Sequence, residues 1–83
     1  MVCCLEMKDV KIYIDDGILY VEFHDFYDRA DILIYDVKGR LMHEGRAAGL
    51  SVYTHDISRY ASGPYIIVVL VNGRKYSKVV TLH

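Results

Sequence analysis

Residues 65–71, YIIVVLV, are apolar without interruption, and the chain then passes through Asn72-Gly73 into RKYSKVV, where polar and apolar residues alternate. An Asn-Gly pair tolerates the positive φ of a tight hairpin, so the segment reads as a strand folded back on its successor. The run is far short of the roughly 20 residues that a membrane-spanning helix needs. A strand with one wet face alternates, yet this one is apolar on both. If Tyr65, Ile67 and Val69 face a core, Ile66, Val68 and Leu70 are left on the opposite side.

Turn signals recur along the rest of the chain at intervals of roughly ten residues, the spacing of an all-β sandwich or barrel. Strands are predicted over 8–14, 17–23, 30–36, 39–44, 50–55, 64–71 and 74–81, about seven in all. The DDG at 15–17 is a second tight hairpin, and DVKG at 36–39 a slightly longer one. Alternation puts Leu19, Val21 and Phe23 on the core face of one strand and Ile32 and Ile34 on that of another. The segment THDISRYASGPY breaks the pattern: Asp56 can cap a short helical turn at 57–60, and Ser62-Gly63-Pro64 redirects the chain. Tyr65 sits where immunoglobulin-like sandwiches place a tyrosine whose hydroxyl bonds back to nearby backbone.

At 83 residues the chain makes one domain, expected over 8–83 behind an N-terminal tail at 1–7. A formal net charge of −1 gives no electrostatic drive towards nucleic acid, which is not expected as a partner. Both cysteines, Cys3 and Cys4, lie in the tail, preceded only by Met1 and Val2, so no signal peptide or lipoprotein leader is read in the chain as given. They do not fix a redox compartment. No linker or internal repeat appears.

Chemistry-bearing patterns are sparse. Neither a nucleophile elbow nor a positioned Cys/His pair occurs, so no catalytic residue is assigned. His24, His43, His55 and His83 are scattered near strand ends and read as solvated; HxxxH and CxxC spacings are absent, so no metal or cofactor is expected. Asp25, Asp28 and Asp31 with His24 form one acidic cluster, which lacks the glycine and terminal carboxylate of a calcium loop. Eight tyrosines exceed what a small core can hold, and a row of exposed rings would suit stacking on sugars.

Leaving Ile66, Val68 and Leu70 in water forgoes roughly 1.5–3 kcal/mol each, and together they form a patch of the kind that marks a contact surface. A homodimer through the 65–71 strand is therefore expected, with Val68→Glu as the substitution to break it.

ADILIYDVKGRLMHEG, followed by YTHDISRYASGPYIIVVLVNGRKYSKVV, resembles the C-terminal sorting domain of type IX secretion cargo. The shared features fall on Tyr35, Asp36, Gly39 and Arg40, then on Asp56, Ser58, Gly63 and Tyr65, and last on Lys75, Lys78 and Val79. The resemblance implies an immunoglobulin-like antiparallel β-sandwich that serves as an address label, recognised by secretion machinery at the outer membrane and commonly removed afterwards. Asp56, Gly63, Pro64 and Tyr65 would then hold a structural corner. The expected interaction surface is Ile66, Val68, Leu70, Arg74, Lys75 and Lys78. A secreted or cell-surface location follows from the same resemblance. Small secreted Bacteroides-type sandwich proteins of unknown function share the hairpin and corner, and likeness to them implies an interaction or carbohydrate-binding module instead.

Overall fold

Two tight turns organise the chain. Asp16 and Gly17 both take positive φ, 54° and 76°, as do Asn72 and Gly73, 52° and 72°, which gives two two-residue hairpins of the type that matches strand twist. The computed structural model describes residues 10–24, 27–49 and 51–83; Cys3, Cys4 and the tail at 1–7, together with Asp25, lie outside the described residues.

Seven strands form: β1, Val10–Asp15; β2, Ile18–Phe23; β3, Ala30–Tyr35; β4, Leu41–Ala47; β5, Val52–Asp56; β6, Gly63–Val71; and β7, Arg74–Leu82. They pair antiparallel into a three-stranded sheet, β1-β2-β5, and a four-stranded sheet, β4-β3-β6-β7. The fold is all-β, as the turn spacing predicts. In constant-type immunoglobulin domains the fourth strand belongs to the sheet of the first, second and fifth. Here β4 instead pairs with β3, which widens the second sheet and places β3 and β6 at its centre.

The core lies between the sheets. Leu19, Val21 and Phe23 of β2 and Ile32 and Ile34 of β3 are buried, in the alternation the sequence shows. Tyr65, Ile67, Val69 and Val71 supply the β6 side. Within the four-stranded sheet, the hairpin from β3 to β4 is pinned by a polar side chain. The Asp36 carboxylate accepts the backbone N–H groups of Lys38 and Arg40, each at 2.9 Å, and the Arg40 Nε–H at 2.8 Å. These bonds hold its pKa below the usual carboxylate range.

The corner after β5 is one turn, closed by the Tyr60 N–H donating to the Ile57 carbonyl at 3.0 Å. Asp56 accepts the Ser58 N–H at 2.9 Å and the Ser58 hydroxyl at 2.6 Å. Ile57 is fully buried, and its N–H donates to the Gly17 carbonyl, tying the corner to the β1–β2 hairpin. Gly63 takes φ 137° and begins β6, and Pro64 follows as its second residue, at the strand end where a missing N–H costs least. The buried Tyr65 donates its hydroxyl to the Ala61 carbonyl at 2.6 Å.

Candidate functional site

The outer face of the four-stranded sheet carries the largest apolar exposure. Strand register aligns its outward residues in three rows. The first, Leu41, Tyr35, Ile66 and Val79, is apolar or aromatic across all four strands. The second is Glu44, Leu33, Val68 and Ser77; the third is Arg46, Asp31, Leu70 and Lys75. Val79 is 61% exposed, Leu41 50%, Leu70 39% and Ile66 37%. The face thus grades from greasy at the end bearing Val79 to charged at the end bearing Lys75. Arg46 Nε lies 3.5 Å from Asp31 Oδ1. Glu44 and Lys75 hold no ion pair with another described residue.

Of the sequence-predicted surface, Ile66, Leu70 and Lys75 stand on this face. Val68 shares it but is only 7% exposed, contrary to the expectation that it stands in water. It sits in a central strand between its register partners Leu33 and Ser77, with Ile66 and Leu70 above and below it, so its own neighbours shield it. A charge there would be buried, and Val79 is the sounder place to probe the face. Arg74 and Lys78 have the other parity of β7. Lys78 reaches across to β1 and donates from Nζ to the Ile12 carbonyl at 2.8 Å, closing the side of the sandwich between the edge strands β1 and β7. Lys75 and Lys78 therefore do not form one basic surface. Val79, Tyr35 and Leu41 complete the apolar row that sequence reasoning left unassembled.

The opposite side, where edge strands β4 and β5 meet, holds an aromatic cluster. The rings of His43 and His55 stack with centroids 3.6 Å apart and planes 14° from parallel. His43 Nε2 is hydrogen-bonded to the Tyr53 hydroxyl at 2.9 Å and His55 Nε2 to the Tyr60 hydroxyl at 3.2 Å. These two histidines are half-buried in strands, not solvated in loops, because the sheet edges bring them together. Gly45 leaves room for the Tyr53 ring: a Cβ there would overlap the hydroxyl and come within 2.9 Å of Cζ.

Burial pushes the Tyr53 and Tyr60 hydroxyls up in pKa. Burial, and then the nearby His43, hold the His55 imidazole below its ordinary 6.5, against the raising pull of Asp56. The folded state thus disfavours a charged His55. As pH falls below 6.5 the unfolded chain binds that proton more readily, so this contribution to stability is full above 6.5 and declines below it. Asp36 and Asp56, held low by the hydrogen bonds they accept, act only in more acid solution: their contributions are present above 3.8 and are lost as pH falls through their folded values. The urea midpoint is expected to fall between pH 6.5 and about 4.5 in the wild type and to stay nearly level over that window in His55→Gln. An equal fall in the variant removes His55 as the cause.

The remaining candidates disperse. Asp31 lies on the outer sheet face, away from the loop that carries Asp28, and among the described residues no three His, Cys, Asp or Glu side chains gather as a cation site. The tyrosines divide among several places. Tyr13 and Tyr20 stack on each other at 5.0 Å on the three-stranded sheet, and Tyr27 packs on Phe23 in the core. Tyr35 is on the opposite sheet, and Tyr53, Tyr60 and Tyr65 line the β4/β5 side. Tyr13 donates to Glu22 Oε2 at 2.6 Å, a bond that pushes its pKa up to about 12. Among the described residues, no three exposed rings form a row for a sugar to stack on. No helix among the described residues is long and apolar enough to cross a membrane.

The family model described as "Domain of unknown function (DUF3244)" matches residues 4–81. Among solved structures, the chain is similar to a DUF3244 family protein with an immunoglobulin-like β-sandwich fold from Bacteroides vulgatus ATCC 8482, with a TM-score of 0.81 at 15% identity, over 90% of this chain and 84% of that one. No curated protein matches the chain.

Proposed function

The chain belongs to the DUF3244 family and has an immunoglobulin-like sandwich fold, and from that premise we propose that it is a non-catalytic module that works by docking another protein surface on its four-stranded sheet. The observation that carries this reading is the row formed by Leu41, Tyr35, Ile66 and Val79, an apolar strip crossing four strands with Val79 61% exposed. Such a strip loses free energy in water and gains it under a matching surface. The specific form we propose is sorting: the domain addresses an attached cargo to type IX machinery at the outer membrane, which reads the shape and grease of this face.

The test joins the full chain behind an exported reporter in a type IX-competent cell. Machinery-dependent delivery to the surface is expected, with delivery reduced about tenfold or more by Val79→Lys, a change at an exposed position that leaves the fold intact. A folded fusion retained in the periplasm overturns the sorting reading. Delivery that Val79→Lys leaves unchanged overturns the assignment of this face. The dispersed tyrosines give the carbohydrate reading no comparable support.

A further inference from the structure

We propose that the β4–β5 side of the sandwich is an acid-sensitive seam, closed while His43 and His55 are both neutral and parted when they take up protons, which loosens edge strand β4 before the rest of the domain. This property is independent of the docking reading and holds whether or not the outer face has a partner. β4 ends the four-stranded sheet and β5 ends the three-stranded one, and among the described residues no ladder hydrogen bond joins them. Side chains therefore hold this side together.

Apolar burial contributes little to that hold from the β4 side. His43, Gly45 and Ala47 lie opposite Ile34, Ile32 and Ala30, all buried, so these three are the inward row of β4. Only Ala47, a single methyl group, is itself buried. The space over Gly45 is filled from β5 by the Tyr53 ring, whose hydroxyl is hydrogen-bonded to His43 Nε2 at 2.9 Å. The His43–His55 stack, with centroids 3.6 Å apart, bridges the two edge strands directly. The other side of the sandwich is held differently: Lys78 Nζ donates to the Ile12 carbonyl at 2.8 Å, a bond that needs no histidine. An edge strand with so little buried apolar surface opens at less cost than the centre of its sheet, so acid acts here first.

The groups around the stack offer little to balance two positive rings. β5 supplies Tyr53, the corner Tyr60 and β6 Tyr65; burial keeps the Tyr53 and Tyr60 hydroxyls protonated, so they bring no negative charge. The register partners on β2 and β3, Leu19 and Ile34, are apolar. Asp56, next to His55 on β5, favours the charged imidazole, but its Oδ1 accepts both the Ser58 N–H and the Ser58 hydroxyl, Arg59 also acts on it, and burial and His43 outweigh its pull. Glu44 and Arg46 stand on the outer face of the sheet, and Asp36 is paired with Arg40 at 2.8 Å. A single charged ring can stay stacked on a neutral one. Two charged rings would set like charges 3.6 Å apart in a half-buried site, where water screens them poorly, and the stack parts.

The experiment is residue-resolved amide hydrogen exchange by NMR on the full chain with Cys3→Ser and Cys4→Ser, from about pH 7.5 to about pH 4.5, with rates corrected for their intrinsic pH dependence. Protection of β4 amides is expected to fall about tenfold or more over this range, and that of the central strand β6 less than about threefold. In His43→Gln and in His55→Gln the fall in β4 is expected to shrink to that of β6. The imidazole signals of the wild type are expected to titrate as a coupled pair in two separated steps, and His43→Gln to move the His55 step to higher pH. An equal loss of protection in β4 and β6 overturns the seam, because acid then acts on the domain as a whole. So does β4 protection that stays level through the imidazole titration, or a fall in β4 that persists in both variants. If neither variant folds, the wild type alone decides: a fall in β4 that does not coincide with the imidazole steps overturns the assignment to these histidines.

Discussion

Ile67→Ala is expected to destabilise the domain by about 2–5 kcal/mol, while Ile66→Ala, one residue earlier on β6, costs the monomer under about 1 kcal/mol. The two side chains are chemically identical and share a strand, so the difference isolates the face. Ile67 is fully buried between the sheets, and truncation leaves a cavity that packed neighbours such as Ile34 collapse into only partly. Ile66 is already 37% exposed and loses only part of its packing against Tyr35 and Val79. Domains of this size have total stabilities of about 5–10 kcal/mol, so the first change removes a large share of what holds the fold. Urea midpoints at low micromolar concentration measure both. Equal costs at low concentration would mean that the outer face is sealed within one copy.

Residues 65–71 are apolar on both faces, but Ile67 is sealed in the core while Ile66 stands 37% exposed, and that difference shows which parts of the molecule are legible in the sequence. The hairpins at Asp16-Gly17 and Asn72-Gly73 and the alternation in β2 and β3 are local, and local patterns are readable without a partner strand. Val68 is not readable in this way. Its parity says outward, but its burial depends on being flanked by β3 and β7, and strand order is a property of the assembled sheet. The apolar row is hidden for the same reason: Leu41 and Val79 are separated by nearly half of the chain and meet in one line only because β4 joins β3. The stacked pair of His43 and His55 likewise needs two sheet edges to approach. The opposite facing of Lys75 and Lys78, three residues apart on one strand, was legible from alternation alone. The family resemblance grouped them as one surface, and the parity of β7 separates them.

Ile57→Ala and Gly17→Ala are expected to be coupled, each destabilising alone and the pair costing less than their sum by about 0.5–3 kcal/mol. Ile57→Ala removes a fully buried side chain and is expected to cost about 2–5 kcal/mol. Gly17 sits at φ 76°, and a Cβ there would stand 3.0 Å from the Ser58 Cβ, so alanine adds both backbone strain and a tight contact with the corner. The two positions are joined directly by the Ile57 N–H donating to the Gly17 carbonyl at 3.0 Å. Once Ile57 is truncated the corner can shift away from the hairpin, and the contact that penalises a Cβ at Gly17 relaxes. The strain from positive φ remains, which is why the coupling is partial. A double-mutant cycle by urea denaturation measures it, and additivity within about 0.5 kcal/mol would show that hairpin and corner respond independently. The coupling bears on the docking face because the corner leads directly into Gly63 and Pro64, the start of β6. A corner locked to the first hairpin fixes where β6 enters the sheet, and with it the row that Ile66 shares with Tyr35 and Val79.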